Sequence, residues 1–320
     1  MRKVLVVLFV FSIIASQVVV GESGVSADHT DSLILRDICD LLAELYTDLT
    51  GEYGCVRESL EAEINVCYTS TNLLAEYVLR ELCGNTVLAD KVRSFLNVYS
   101  TDFYNYYQIL MNKSFTLPLT VVEHEDVTTV RGIRIVHVKR TSEVFHDYDQ
   151  YADLLVYSAL YYLAQGNVNN AVIDLVKLNL LFNGYGFRDK AFSGIYETYK
   201  LALAVIAFKA INHTNLVEKY TSILRSIKPL ATLYIYNETT GELSGIGDLN
   251  VETACLIAIA LYSDIPYRIK PETRLDQINT LTVLVIILLV ITLALVIVIL
   301  ALMLRLMKNL THTLITRSKT

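Results

Sequence analysis

Tryptophan is absent from this chain of 320 residues, and proline and glycine are scarce, at 4 and 13. So few chain breakers exclude a long disordered stalk between folded parts. Four of the five cysteines, Cys39, Cys55, Cys67 and Cys83, cluster without any C-x-x-C pair or intervening histidine, which argues against a zinc site. The usual catalytic signatures are missing as well: no G-x-S-x-G elbow, P-loop, dinucleotide-binding glycine set or H-E-x-x-H helix occurs. The reading therefore implies no cofactor and no metal. Basic charge is in deficit too, which excludes a nucleic-acid partner.

What is present in excess is apolar sequence, concentrated at the two ends. Residues 281–304 are uncharged and overwhelmingly apolar, and Arg305, Lys308, Arg317 and Lys319 follow with no acid among them. At about 1.5 Å per residue such a helix is roughly 36 Å long, enough to cross a hydrocarbon core of about 30 Å. The basic flank then belongs on the cytoplasmic side. Arg2 and Lys3 precede a second apolar run, residues 4–20, and small residues follow around Gly21 and Ala27. That arrangement describes a secretory signal peptide, with an uncleaved anchor as the alternative. Either way the intervening chain is expected outside the cytoplasm. There 21 Lys+Arg face all 33 Asp+Glu, a net charge of about −12.

Outside the cytoplasm thiols tend to be oxidised, so the four clustered cysteines read as two disulfides. If short helices run about 31–49, 56–68 and 71–83, antiparallel packing pairs Cys39 with Cys67 and Cys55 with Cys83. One continuous helix from 56 to 83 would instead hold Cys55 and Cys83 about 40 Å apart. Cys255, in a run of Ala, Leu and Ile, reads as a buried free thiol. Three exported sequons, at Asn112, Asn212 and Asn237, fall where loops or helix ends are expected, so each is a candidate glycosylation site.

The expected fold class is mainly α, with a signal peptide over 1–21 and a disulfide-stapled helical subdomain over 22–114. In the latter Leu88, Val92, Phe95, Tyr99, Phe103 and Leu110 mark one long amphipathic helix. A small β-hairpin over 115–147 forms the joint, with β-branched strands on either side of an acidic turn at Glu123–Asp126. Over 148–264, stretches apolar on every face (151–164, 199–211, 251–261) alternate with amphipathic ones (168–181, 216–227). Inner helices buried all round and outer helices buried on one side satisfy that alternation. A juxtamembrane segment (265–280), the transmembrane helix (281–304) and a cytoplasmic tail (305–320) complete the chain.

The inner-helix starts repeat, as Tyr151-Ala-Asp153, Tyr196-Glu-Thr198 and Val251-Glu-Thr253, at intervals of about 45 and 55 residues. Asp248-Leu-Asn-Val-Glu-Thr-Ala-Cys-Leu followed by an Ala/Ile run resembles the inner-helix signature of α/α-toroid proteins, which include terpenoid cyclases, complement-type thioester domains and several glycosidases and lyases. Five helices allow a partial, open toroid. A tetratricopeptide-like array competes, although its period should be near 34. The thioester Cys-Gly-Glu-Gln and the prenyl-cyclising Asp-rich motif are missing, so those chemistries do not carry over. The resemblance implies a ligand mouth at the inner-helix starts. Ligand-binding candidates there are Asp149, Tyr185, Arg188, Asp189, Tyr196, Tyr199 and Asp248, with Asp153, Glu197 and Glu252 as catalytic candidates. Carboxylates beside tyrosines suit sugar binding or glycosidic acid/base work. The same acids in first helical turns are explained equally by capping and the helix dipole, at roughly 0.3–1 kcal/mol each.

The functional expectation is a single-pass cell-surface glycoprotein, anchored by one span in membrane lipid, whose ectodomain binds or scaffolds an extracellular protein or glycan. The alternatives are a membrane-anchored carbohydrate-active enzyme and an accessory subunit of a membrane complex.

Overall fold

A computed structural model describes residues 27–60, 65–99, 106–111 and 116–265. The apolar run 4–20, the sequon Asn112, the span 281–304 and the basic tail lie outside the described residues. Among the described residues no helix is long and apolar enough to cross a membrane.

The expectation of a mainly α chain is overturned. About 53% of the structure is helix and 21% strand, the latter in three small sheets. In chain order come α1 (Ala27–Leu45), β1 (Tyr46–Asp48), β2 (Gly54–Val56), β3 (Val66–Tyr68) and α2 (Thr69–Tyr77). α2 runs into a π turn, Val78–Leu82, and α3 (Thr86–Tyr99) and a 3₁₀ turn (Tyr106–Met111) follow. β4 (Thr120–Val130) and β5 (Ile133–Val144) precede the helix pairs α4 (Ala152–Ala164) with α5 (Val168–Leu181), and α6 (Thr198–Ala210) with α7 (Thr214–Ser226). The short strand β6 (Tyr196–Glu197) leads into α6, the hairpin β7 (Leu233–Asn237) and β8 (Glu242–Ile246) follows α7, and α8 (Val251–Tyr262) closes the domain.

The expected helix over 56–68 is replaced by strands. Gly51 takes a positive φ of 89° and its N–H donates to the Asp48 carboxylate, which reverses the chain between β1 and β2. β3 then pairs in parallel with β5, Cys67 opposite Ile135. A partner about 70 residues away leaves no trace in local periodicity, so the strand is invisible to a helix-spacing argument. The disulfides follow from this backbone and not from the expected pairing. Cys55 on β2 bonds Cys67 on β3, with Cα atoms 6.2 Å apart, and Cys39 on α1 bonds Cys83 after the π turn, at 5.7 Å. Two disulfides and a buried free Cys255 are both present as the sequence suggests.

The joint hairpin exists, but its turn is elsewhere. Glu123 to Asp126 lie inside β4, and the chain reverses at Arg131 (φ 51°) and Gly132 (φ 79°). Two successive positive φ values match the twist of a two-residue hairpin turn, which the acidic stretch does not offer. His124 faces Val138 and His137 faces Glu125 in the register, so the two histidines occupy opposite faces of the ladder.

The helical array follows the apolar alternation closely. Every residue of α6 except Tyr199 and Lys209 is buried, and α8 is buried from Val251 to Ala260 apart from Glu252. α7 buries only Tyr220, Thr221 and Leu224, and α5 leaves Ile173 and Leu180 exposed. Inner and outer layers therefore separate as polarity dictates. Among the described residues no outer helix follows α8 in the chain. The N-terminal elements cover it: Val251 N–H donates to the Glu58 carbonyl (3.0 Å) and the Tyr77 hydroxyl meets Ser263 Oγ (2.8 Å). One continuous apolar core runs from Ile38 to Ile265.

Candidate functional site

Three backbone links gather the inner-helix starts at one end of the domain. Ala152 N–H at the head of α4 donates to Asp189 Oδ2 (2.9 Å). Thr198 N–H at the head of α6 donates to the Thr232 carbonyl (2.9 Å), and Asn250 N–H before α8 donates to Thr232 Oγ1 (2.9 Å). Apart from Asp149 and Arg188, the residues expected to form a ligand mouth fall into three groups with different chemistry.

The first group is a salt-bridged knot. The Lys200 ammonium, 3% exposed, sits 2.7 Å from Asp189 Oδ2 and also against Glu197 Oε2. Asp189 further accepts the Ala191 N–H (3.1 Å), and Tyr199 donates to Asp153 Oδ2 (3.4 Å) while its ring lies under Lys200. Burial pulls the Lys200 proton affinity down, but its hydrogen bonds to Asp189 and Glu197 outweigh this and hold it above the usual lysine value. Burial raises Asp153 above the usual carboxylate range, opposed by the nearby Lys200 charge. Burial also raises the Tyr199 and Tyr157 phenols. With Lys200 shared between Asp189 and Glu197, the knot holds the heads of α4 and α6 together.

Glu252 does not join Asp153 and Glu197. It belongs to a second group beside Glu58, whose Oε1 accepts from Asn250 Nδ2 (3.0 Å) and whose Oε2 accepts from Thr71 Oγ1 (3.2 Å). Burial, then the Glu252 charge, pushes Glu58 up to about 8, and burial pushes Glu252 up to about 7. Asp248 contributes a weaker repulsion to Glu58. Asn250 caps α8 through Thr253 N–H (2.9 Å), as the capping argument anticipates. Of the three catalytic candidates, Asp153 and Glu197 interact with each other, while the acid that Glu252 acts on is Glu58. Sequence reasoning missed Glu58 because its contact with α8 spans nearly the whole domain.

The third group is a ladder of tyrosines leading to an open groove. Tyr196 stacks on Tyr234 at 5.2 Å, and Tyr185 stacks on Tyr236 at 3.6 Å with rings 13° apart. Asn183 Nδ2 donates to Tyr196 Oη (2.7 Å), and Tyr234 Oη donates to the Tyr185 carbonyl (3.0 Å). Gly186 is required here, because a Cβ would collide with the Tyr196 ring and the Tyr234 hydroxyl. The Tyr185–Tyr236 pair borders a groove of about 710 Å³ between the end of α7 and the β7–β8 hairpin. Arg225, Lys228, Glu242 and Ser244 line it as well. Lys228 is fixed by its backbone: its N–H donates to the Leu243 carbonyl (3.3 Å) and its carbonyl accepts from Gly245 N–H (3.4 Å). Gly245 allows that approach, since any Cβ would meet the Pro229 carbonyl.

The remaining candidates have local roles. Asp149 pairs with Lys177 (3.1 Å), and the Arg188 guanidinium lies over the Phe192 ring at 5.3 Å. Asn212, with φ 55°, and Asn237 are exposed at turns. Of the groove residues the sequence singled out only Tyr185. The Leu-Tyr-Ile-Tyr alternation at 233–236 is the period-two signal of a strand, and reading it so would have placed Tyr236 beside Tyr185.

Compared with protein-family models, curated proteins and solved structures, the chain matches none.

Proposed function

We propose that the chain is a single-pass cell-surface glycoprotein whose disulfide-held domain faces outward and binds an extracellular protein or glycan through the tyrosine-bordered groove. The observation carrying this reading is the contrast between the groove and the carboxylate groups. The acids in the knot are consumed in tying helices together, whereas the groove presents aromatic faces, cations and hydroxyls around an open volume of about 710 Å³. Two disulfides suit an oxidising compartment. Exposed sequons at Asn212 and Asn237 suit glycosylation. The apolar run 281–304 with its basic flank supplies the anchor.

The test is binding by the full-length protein in detergent micelles, titrated with glycans and proteins released from the cell envelope. Saturable binding that Tyr185→Ala weakens is expected. Binding that Tyr185→Ala leaves untouched, or none to either class, contradicts the reading.

A second reading, a membrane-anchored enzyme of glycosidase or lyase type, draws on Glu58 and Glu252, whose proton affinities are raised to about 8 and about 7, at or just above neutrality. It requires that Glu58→Gln or Glu252→Gln abolish cleavage of a glycan that the protein still binds.

A further inference from the structure

We propose that the groove between α7 and the β7–β8 hairpin is a subsite for a carboxylate-bearing sugar, a uronate unit of an extracellular polysaccharide. This deepens the binding reading above and rests on it.

The argument is one of matched chemistry. A sugar ring offers an apolar C–H face, a belt of hydroxyls and, in a uronate, a carboxylate at one edge. The groove holds a counterpart for each. Tyr185 and Tyr236 are stacked face to face at 3.6 Å, each covering one face of the other, so the fixed stack offers a platform one ring wide, with Tyr185 37% exposed. Aromatic faces of this kind take up apolar sugar faces at little cost in side-chain entropy. Ser222 and Ser244 provide hydroxyls that both donate and accept, while Ser226, whose hydroxyl donates to the Ile223 carbonyl (2.7 Å), and Glu242 provide acceptors for sugar O–H groups. Arg225 and Lys228 bring two cations to the same lining, against the single acid Glu242. That local excess is set in a region of the chain whose net charge is about −12, where an anionic ligand would otherwise be repelled.

The backbone that carries the cations is also positioned. Lys228 is held by the two backbone hydrogen bonds that join it to β8, so its Cα is fixed relative to Ser244 in the facing strand. Arg225 stands in the last turn of α7, one turn from Ser222 on the same helix. A carboxylate that meets either cation gains charge-assisted hydrogen bonds, about twice as strong as neutral ones. A volume of about 710 Å³ accommodates a short oligosaccharide. An acidic peptide shares the carboxylate but not the ring face, so the tyrosine platform favours the sugar.

The experiment is calorimetric titration of full-length protein in detergent with three probes of equal length: an oligogalacturonate, the uncharged galactose oligomer and an oligoglutamate. The oligogalacturonate is expected to bind at least about tenfold more tightly than either of the others, with affinity falling as salt rises. Lys228→Gln should weaken the uronate about five- to tenfold and leave the neutral sugar unchanged. Tyr185→Ala should weaken both sugars. Circular dichroism melts of each variant confirm the fold. Equal binding of charged and neutral sugars, no binding of either, or no effect of Lys228→Gln in a folded variant overturns the uronate assignment. Tighter oligoglutamate binding overturns it in favour of an acidic protein partner. If all three probes fail while the envelope titration still shows groove-dependent binding, the uronate subsite falls and the broader binding function stands. If both fail, both fall.

Discussion

Glu58 offers a direct test of how the two ends of the domain are held together. Its carboxyl accepts from Asn250 and Thr71, joining the β2–β3 connection to the heads of α8 and α2. Crowding there and the neighbouring Glu252 raise its proton affinity from the ordinary 4.5 to about 8. The folded state thus binds this proton more tightly than the unfolded chain does. Its contribution to stability is complete below about pH 4.5 and is lost as pH rises through about 8. At about 1.4 kcal/mol per tenfold change in affinity, that interval corresponds to a ceiling of about 5 kcal/mol. Water reaches the half-buried side chain, so we expect a loss of about 2–3 kcal/mol. Glu58→Gln cannot ionise and keeps both hydrogen bonds, because the Thr71 hydroxyl can turn to accept. Urea unfolding at pH 5 and pH 9 is the assay. The variant should match the parent at pH 5 and exceed it by about 2–3 kcal/mol at pH 9. Glu252, raised to about 7, leaves both proteins with a smaller fall between these values. A parent that gains stability from pH 5 to 9, or a variant no more stable at pH 9, would refute the reasoning.

Three further outcomes follow from the packing. Lys200→Met strands the carboxylates of Asp189 and Glu197 at the head of α6, and should cost about 3–5 kcal/mol in denaturant unfolding at neutral pH. Opening Cys39–Cys83, which spans 44 residues, as a double alanine variant should cost about 4 kcal/mol, and opening Cys55–Cys67, which spans 12, about 3 kcal/mol; non-reducing peptide mapping checks the pairing itself. The Cys255 thiol, enclosed within α8 and raised by burial, should resist alkylation in the folded protein and react once denaturant is added.

The helical array was legible because burial writes itself into composition. α6 and α8 carry apolar residues on every face, and those faces are covered on every side. The boundaries were legible where a cap marks them, as Asn167 does for α5 and Asn250 for α8. What escaped were elements defined by distant partners. β3 is three residues long and acquires its identity from β5, and β6 is two residues long and acquires its identity from β7. Once β2 and β3 replaced the expected helix, the disulfide partners exchanged with them.

The candidate site was legible in part, for the same reason. Asp153, Asp189, Glu197 and Tyr199 meet in the structure because each is fixed by its place in an inner helix or the loop before one. The partner that decides their role, Lys200, is visible in the sequence as a charge in α6, but its burial against Asp189 and Glu197 depends on a loop contact that the Ala/Leu pattern of the helix does not reveal. The groove lies between α7 and the β7–β8 hairpin, an element the helix-repeat reading does not contain, so only Tyr185 among its residues was expected.

The account rests on the groove opening to the outside of the cell. Its most direct test is treatment of intact cells with a membrane-impermeant lysine reagent, followed by peptide mapping. Labelling of the exposed Lys228 with Lys308 and Lys319 protected is the predicted result. Labelling of the two tail lysines while Lys228 stays protected, in cells of proven integrity, would contradict it.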